Sequence, residues 1–138
     1  MAMNVGEAGW APRVLGLLRI VSGLIFLAHG TQKLLGFPGG ERAGSGLSFD
    51  NPGAYAGVIE LVCGMLITLG LFTRPAAFLA SGTMAVAYWI AHAPQDFFPV
   101  NNGGDAAILY CFVFLYLVFA GPGSWSLDHL RSRGKAVT

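Results

Sequence analysis

The chain has 138 residues, of which 54% are hydrophobic and only 11% are charged. A soluble domain of this size carries roughly a quarter charged residues, so this composition would leave a mostly apolar surface in water and indicates a protein whose solvent is lipid. A formal net charge of +1 offers no field that would attract nucleic acid. We therefore expect a single domain, residues 1–138, whose main partner is the lipid bilayer and which has no nucleic-acid partner.

The first predicted membrane span covers residues 14–37, more than the roughly 20 residues that a helix needs to cross a bilayer. Several of its residues recur at intervals of three and four, which places them on one face of a helix. This polar stripe consists of Arg19, Ser22, Phe26, His29 and Lys33. Because a charge at the membrane centre costs on the order of 2.5 to 3.5 kcal/mol, we expect the polar stripe to face protein, with Arg19 close enough to the inner surface to snorkel.

The second predicted span covers residues 55–72 and contains one acidic residue, Glu60. Gly57 and Gly64 share its helix face, so the backbone can approach a neighbouring helix closely there. We predict that Glu60 meets the polar stripe inside the bundle. Such contacts either form an ion pair that only holds two helices in register or belong to a ligand site.

The third predicted span covers residues 75–93 and ends near His92, which follows two aromatic residues. His92 is either an interfacial residue of an aromatic belt or part of a site. The next loop contains Asn102 and Asp105. It is typical of a turn that ends in an N-cap aspartate for the fourth helix, and the alternative is that both side chains face a ligand.

The fourth predicted span, residues 106–120, is about five residues shorter than a typical span. Residues 121–138 follow it as a tail. The two cysteines, Cys63 and Cys111, lie inside apolar runs, which favours packing roles over a redox dithiol. The sequence therefore predicts an all-α polytopic membrane protein, a bundle of four transmembrane helices.

Basic residues near the ends of the spans predict the orientation of the bundle. Outside the spans, the first and third loops contain one basic residue, Arg42, against acidic residues that include Glu41. The other basic residues flanking the spans are Arg13, Arg74, Arg131, Arg133 and Lys135. By the positive-inside rule, both termini and the tail are cytoplasmic, and the loop of residues 36–53 is outside.

In this orientation, polar side chains from all four helices lie in the outer half of the membrane or at its outer surface. They are His29, Lys33, Glu60, His92, Asn102 and Asp105. Each has a structural explanation, but their convergence is harder to explain by pairing alone, so we predict that they line one outward-facing pocket for a small ligand. No Cys, His and acidic residues occur at the close spacing typical of a metal site, and we assign no metal.

Several short motifs follow one another along the chain. They are His29-Gly30-Thr31-Gln32-Lys33-Leu34, Gly57-Val58-Ile59-Glu60-Leu61, Leu69-Gly70-Leu71-Phe72-Thr73-Arg74, Asn102-Gly103-Gly104-Asp105 and Gly121-Pro122-Gly123-Ser124-Trp125. In this order they resemble the DoxX family of small four-helix bacterial membrane proteins. The resemblance implies a multi-pass protein of the bacterial cytoplasmic (inner) membrane, linked to membrane oxidoreductase systems.

Three functions remain open. The resemblance favours a membrane subunit of an oxidoreductase, with a pocket for a quinone or a small redox-active substrate. The chain has no evident redox centre, so a protein partner would supply electrons, and whether the chain counts as an enzyme stays open. The alternatives are a non-catalytic anchor or scaffold for a partner complex, and a small transporter-like module that would act as a homo-oligomer.

Overall fold

The computed structural model describes residues 5–40, 43, 44, 48 and 50–135, and these residues form helices and loops without a β-strand. The helices in chain order are α1 (Val5–Leu35), α2 (Pro52–Leu69), α3 (Thr73–Ala87), α4 (Pro99–Asn102), α5 (Asp105–Ala120) and α6 (Leu127–Lys135). The all-helical fold class is confirmed for this part of the chain. The loop residues Glu41 and Arg42, on which part of the orientation depends, lie outside the described residues, as do residues 136–138 of the predicted tail.

Among the residues that the structure describes, two helices are long and apolar enough to cross a membrane. They are the stretch Gly9–Leu35 of α1, with 27 residues, and α2, with 18. These helices coincide with the predicted spans 14–37 and 55–72. The predicted spans 75–93 and 106–120 fall on α3, which continues into a π-helical turn at Tyr88–His92, and on α5, an apolar helix of 16 residues.

The helices pack in two pairs. α1 lies against α2, α3 lies against α5, and contacts between α2 and α3 join the pairs. At the centre, the rings of Phe26 on α1 and Phe114 on α5 meet edge to face, with centroids 4.8 Å apart. The outer faces of the long helices carry large exposed apolar side chains, among them Leu24, Val62, Phe78 and Phe112. Such a surface is suited to lipid rather than water.

Glycines bring α1 and α2 into backbone contact. A Cβ atom at Gly23 would lie 2.8 Å from the backbone nitrogen of Thr68, and one at Gly64 would lie 2.7 Å from the Cα atom of Leu27. Gly30 meets the backbone of α2 in the same way. Any side chain at these positions would force the helices apart. The close approach expected at Gly64 is therefore confirmed.

Arg19 joins three segments near the end of the molecule that carries the termini. Its side chain is fully buried and donates hydrogen bonds to five backbone carbonyl oxygens. Two of these carbonyls belong to Ile67 and Thr68 in the last turn of α2, and three belong to residues 122–125, which follow α5. The expectation that Arg19 would snorkel to the surface is wrong, because the chain folds back across α1 and supplies carbonyl groups in place of water.

Two other charged side chains close helix ends near Arg19. The carboxylate of Asp128 accepts hydrogen bonds from the backbone N–H groups of Phe72 and Thr73, both at 2.9 Å, where α3 begins. Arg74 donates to two carbonyl oxygens in the last turn of α5, at 2.6 and 2.9 Å. Residues 121–138, predicted as a tail, therefore include a helix, α6, whose aspartate forms part of the bundle.

Candidate functional site

An ion pair joins α1 and α2 toward the end of the molecule opposite the termini. The Nζ atom of Lys33 lies 2.6 Å from Oε1 of Glu60, and the side chains are 28% and 4% exposed. This confirms that Glu60 meets the polar stripe inside the fold. The second carboxylate oxygen, Oε2, is buried and has no hydrogen-bond partner among the described residues. A buried acceptor of this kind costs free energy unless a water molecule or a ligand group donates a hydrogen bond to it.

A largely apolar groove lies beside this ion pair, between α2 and α3. Its volume is about 770 Å³, within the range of small-molecule sites. The apolar walls include Ile59, Phe78, Leu79, Val86 and Ile90. The polar lining residues are Lys33, Tyr55, Thr83, His92 and Gln95. The groove thus combines an extended apolar surface with a few polar groups, one of which is the cation held by Glu60.

His92 reaches the groove from the π-helical turn that ends α3. Its Nδ1 atom lies 3.0 Å from the carbonyl oxygen of Asn102, and its ring stacks on that of Tyr88 with centroids 6.5 Å apart. A carbonyl oxygen only accepts hydrogen bonds, so Nδ1 must carry the proton of this bond. In the neutral ring, Nε2 is then an acceptor. π-helical turns frequently occur at functional sites because they change the direction of the side chains that follow.

Asn102 and Asp105 organise the loop between α3 and α5. The side chain of Asn102 is buried, donates to the carbonyl oxygen of Asp96 at 2.9 Å, and accepts from the backbone N–H of Gly104 at 2.7 Å. Asp105 is exposed and is the first residue of α5, where Oδ1 accepts from the N–H of Ala106 at 2.9 Å. The N-cap position belongs to Gly104, so the expectation that Asp105 is the N-cap residue is wrong by one position.

His29 does not share the burial of its neighbours on the polar stripe. It is exposed, and its ring meets Tyr110 of α5 edge to face with centroids 6.1 Å apart. The expectation that the whole stripe faces protein is wrong at this position. The reason is the contact of Gly30 with the backbone of α2. Successive residues of an α-helix are about 100° apart around its axis, so His29, the residue before Gly30, is turned away from α2.

The structure brings together three of the six predicted site residues. Lys33 and His92 line the groove, and Glu60 holds Lys33. The groove lining does not include the other three, which are His29, Asn102 and Asp105. Binding of a ligand by any of the six stays a prediction.

Sequence reasoning missed three polar residues of the groove, Tyr55, Thr83 and Gln95. Tyr55 lies four residues before Ile59 and shares its face of α2, but no sequence feature marks Ile59 as a groove residue, so this spacing could not identify Tyr55. Gln95 lies beyond the π-helical turn, where helical spacing no longer applies.

The cysteines and acidic residues add no second reactive cluster in the part of the chain that the structure describes. Cys63 is buried, Cys111 is partly buried, and both are free thiols. Ser81 donates a hydrogen bond to the carbonyl oxygen of Cys111 at 2.8 Å. No three His, Cys, Asp or Glu side chains in the described ranges are grouped so that they could hold a metal ion.

Long apolar helices, an apolar outer surface and an internally paired Lys33–Glu60 define a small helical membrane protein. The DoxX family model matches residues 14–93, more than half of the chain. The chain therefore belongs to the DoxX family, as its motifs indicate.

Relatives in several bacteria match most of the chain. An uncharacterised protein of Haemophilus influenzae is 46% identical over 123 residues, covering 87% of this chain and 92% of the relative. The inner membrane protein YphA of Escherichia coli is 34% identical, and the alignment covers 85% of this chain and 89% of YphA. The Bacillus subtilis protein named "Putative oxidoreductase CatD" is 29% identical, and the alignment covers 86% of this chain and 87% of that protein. No solved structure matches the chain.

Proposed function

We propose that this DoxX protein is the membrane subunit of an oxidoreductase system and binds a quinone, or a small redox-active compound of similar shape, in the groove between α2 and α3. The observation that carries the proposal is the position of Lys33 at an apolar groove of about 770 Å³, where it pairs with Glu60, whose Oε2 atom has no hydrogen-bond partner among the described residues. The name of the relative CatD supports the oxidoreductase class.

The groove offers complementary groups to the two forms of a quinone. The Lys33 ammonium donates hydrogen bonds and suits a quinone carbonyl oxygen. When its ring is neutral, His92, with Nδ1 donating to the Asn102 carbonyl, has Nε2 as an acceptor and suits the hydroxyl of a quinol. The apolar walls suit the ring and the isoprenoid chain. Electrons would pass to or from a partner protein.

Glu60 has two roles in this proposal. Its Oε1 atom fixes the Lys33 ammonium in the groove. Its Oε2 atom is a buried acceptor, and a donor such as a water molecule would satisfy it.

The proposal includes a topology of four spans, with α1, α2, α3 and its π-helical turn, and α5 crossing the inner membrane. Both termini would be cytoplasmic and the groove would open in the outer half. To test it, single cysteines are placed at Ser48 and Gly134 in a chain without Cys63 and Cys111. We expect a membrane-impermeant thiol reagent to label position 48 in intact spheroplasts and position 134 only after lysis. The reverse pattern would overturn the orientation.

The function is tested by the quinone content of the protein purified in a mild detergent, measured by mass spectrometry after solvent extraction. Lys33→Ala and His92→Ala are compared with His29→Ala, which removes an imidazole outside the groove. Hydrogen bonds to a charged donor are worth about 1.5 to 3 kcal/mol, so we expect Lys33→Ala to lower quinone retention about tenfold or more. His92→Ala should lower it less, and His29→Ala should retain the wild-type content.

The Lys33–Glu60 ion pair also favours a second candidate, a non-catalytic anchor, because such pairs can serve only to specify helix pairing. The two candidates differ in the same experiment. Equal quinone content in all three variants, or none in the wild type, together with an intact partner complex, would reject the quinone site and leave the anchor.

A further inference from the structure

A second groove lies at the opposite end of the molecule, where α6 crosses the end of α2. Its volume is about 530 Å³. The lining residues are Thr68, Leu69, Trp125, Ser126, Leu127, His129 and Leu130. The quinone proposal does not use this groove, and the ligand chemistry of the two grooves differs.

The walls of the second groove are apolar and open to the surroundings. Trp125 is 64% exposed and Leu130 is 61% exposed. Both lie beyond the last turn of α2, so they are at the level where an apolar membrane helix ends. Tryptophan side chains favour this level because the ring is apolar and its N–H is polar. An acyl chain would cover this surface.

Basic side chains border the same groove. His129 lines it, and Arg133 lies four residues after His129 and three after Leu130, which places Arg133 on the same face of α6 one turn further on. The acidic residue of α6, Asp128, is directed to the start of α3 instead, where it accepts two backbone hydrogen bonds. The groove face of α6 is therefore apolar at one end and basic at the other.

We propose that this groove binds an anionic phospholipid, with an acyl chain against Trp125 and Leu130 and the phosphate group against His129 and Arg133. The complementarity of charge and apolar surface argues for this occupant. A soluble anion would use only the basic surface, whereas a phospholipid carries a charged phosphate and apolar chains on one glycerol. Arginine is also well suited to phosphate, because its guanidinium group can donate two parallel hydrogen bonds.

The test is native mass spectrometry of the full-length chain in detergent, titrated separately with phosphatidylglycerol and with phosphatidylcholine of the same acyl chains. Arg133→Gln is compared with Arg13→Gln, which removes the same charge from α1 outside the groove. A basic residue near an anionic membrane surface contributes enough affinity for about a fivefold effect. We expect Arg133→Gln to lower the phosphatidylglycerol-bound fraction about fivefold relative to the wild type, and Arg13→Gln to leave it unchanged.

A second variant separates the acyl contact from the charge. Leu130→Ala shortens an exposed side chain and keeps every charge, so it should fold normally and weaken the binding of both lipids. Equal affinity of the wild type for the two lipids would overturn the proposal. So would equal losses in the Arg133 and Arg13 variants, or complete competition by inorganic phosphate at millimolar concentration. Because quinone content is measured independently, failure here leaves the α2–α3 groove unaffected.

Discussion

The guanidinium group of Arg19 lies 2.6 Å from the carbonyl oxygen of Thr68, one of five backbone carbonyls that it contacts. α-Helices leave their last carbonyl groups without intrahelical donors, and here a side chain of α1 supplies donors to the end of α2. The same side chain holds residues 122–125. The packing at the end of the molecule that carries the termini therefore depends on one buried cation, Arg19.

Replacement of Arg19 by Gln removes the charge and leaves several of these carbonyls without a donor. Each buried acceptor left unsatisfied costs about 1 to 3 kcal/mol, so we expect Arg19→Gln to lower the free energy of unfolding by at least about 2 kcal/mol. Arg19→Lys keeps the charge but has three donors on one atom, and its loss should be smaller. Unfolding by SDS titration in mixed micelles measures both. The exposed Arg13→Gln is the control, and equal stability of the Arg19 and Arg13 variants would contradict the prediction.

Lys33 and Glu60 are expected to depend on each other. Lys33→Met leaves a nearly buried carboxylate without its cation, and breaking a buried pair in this way costs about 3 to 5 kcal/mol. Replacing both residues with methionine removes the charge as well as its partner, so the double variant should be more stable than Lys33→Met alone. A double-mutant cycle in the same SDS titration measures the coupling. Additive effects of the two single substitutions would mean that the pair does not act as a unit.

Substitutions at two glycines separate the effect of close helix packing from the effect of helix propensity. A Cβ atom at Gly64 would lie 2.7 Å from the backbone of Leu27, whereas one at Gly82 on α3 would meet nothing within 4 Å. We expect Gly64→Ala to destabilise the fold by about 1 to 3 kcal/mol through overpacking. Gly82→Ala should stabilise it by about 0.5 to 1 kcal/mol, because alanine restricts the unfolded chain and favours the helix. The same sign of change in both variants would refute the packing argument.

We expect Asp128 to make the stability of the fold depend on pH. Partial burial opposes its ionisation, but hydrogen bonds from Thr73 and Phe72 and the charge of Arg131 outweigh burial, so the pKa of Asp128 is below its ordinary value. A lowered folded-state pKa gives stability that is fully present above the unfolded value of about 3.9 and is lost as pH falls through the folded pKa.

The measurement is the midpoint of thermal unfolding in detergent from pH 7 to pH 2.5 for the wild type and Asp128→Ala. We expect the variant to be less stable at pH 7 by about 1 kcal/mol, the typical value of a helix cap. The difference should narrow as pH falls below about 4. A difference that is constant over the whole range would show that ionisation of Asp128 contributes nothing.

The pairing of Glu60 could be predicted because an ionised group in an apolar helix requires a partner, and the polar stripe offered one at a compatible depth. The position of His29 could not be predicted from the same spacing. The stripe marks one side of α1, but the helix face that is buried is decided by Gly23 and Gly30, where the backbone of α2 comes closest. The spacing of these glycines, seven residues apart, indicates the buried face of α1, whereas the polarity of the side chains does not.

The roles of Arg19 and Asn102 were also beyond the sequence. The side chain of Arg19 bonds to backbone carbonyls of remote segments, among them Pro122, which lies 103 residues further along the chain. The side chain of Asn102 bonds to backbone atoms of its own irregular loop. Backbone carbonyls occur at every residue, so nothing in the amino-acid pattern marks which of them a buried arginine reaches. Only the path of the chain after α5 determines it.

The glycine contacts bring the backbones of α1 and α2 together, whereas α3 has free space at one of its glycines. The two helices touch through their backbones, so neither can slide or roll without separating from the other, and the Lys33–Glu60 register is rigid. Gly82 on α3 has open space instead. If the proposed quinone binds in the α2–α3 groove, a bulkier ligand would therefore be expected to shift the α3–α5 pair relative to α2, with His92 moving while Lys33 stays in place.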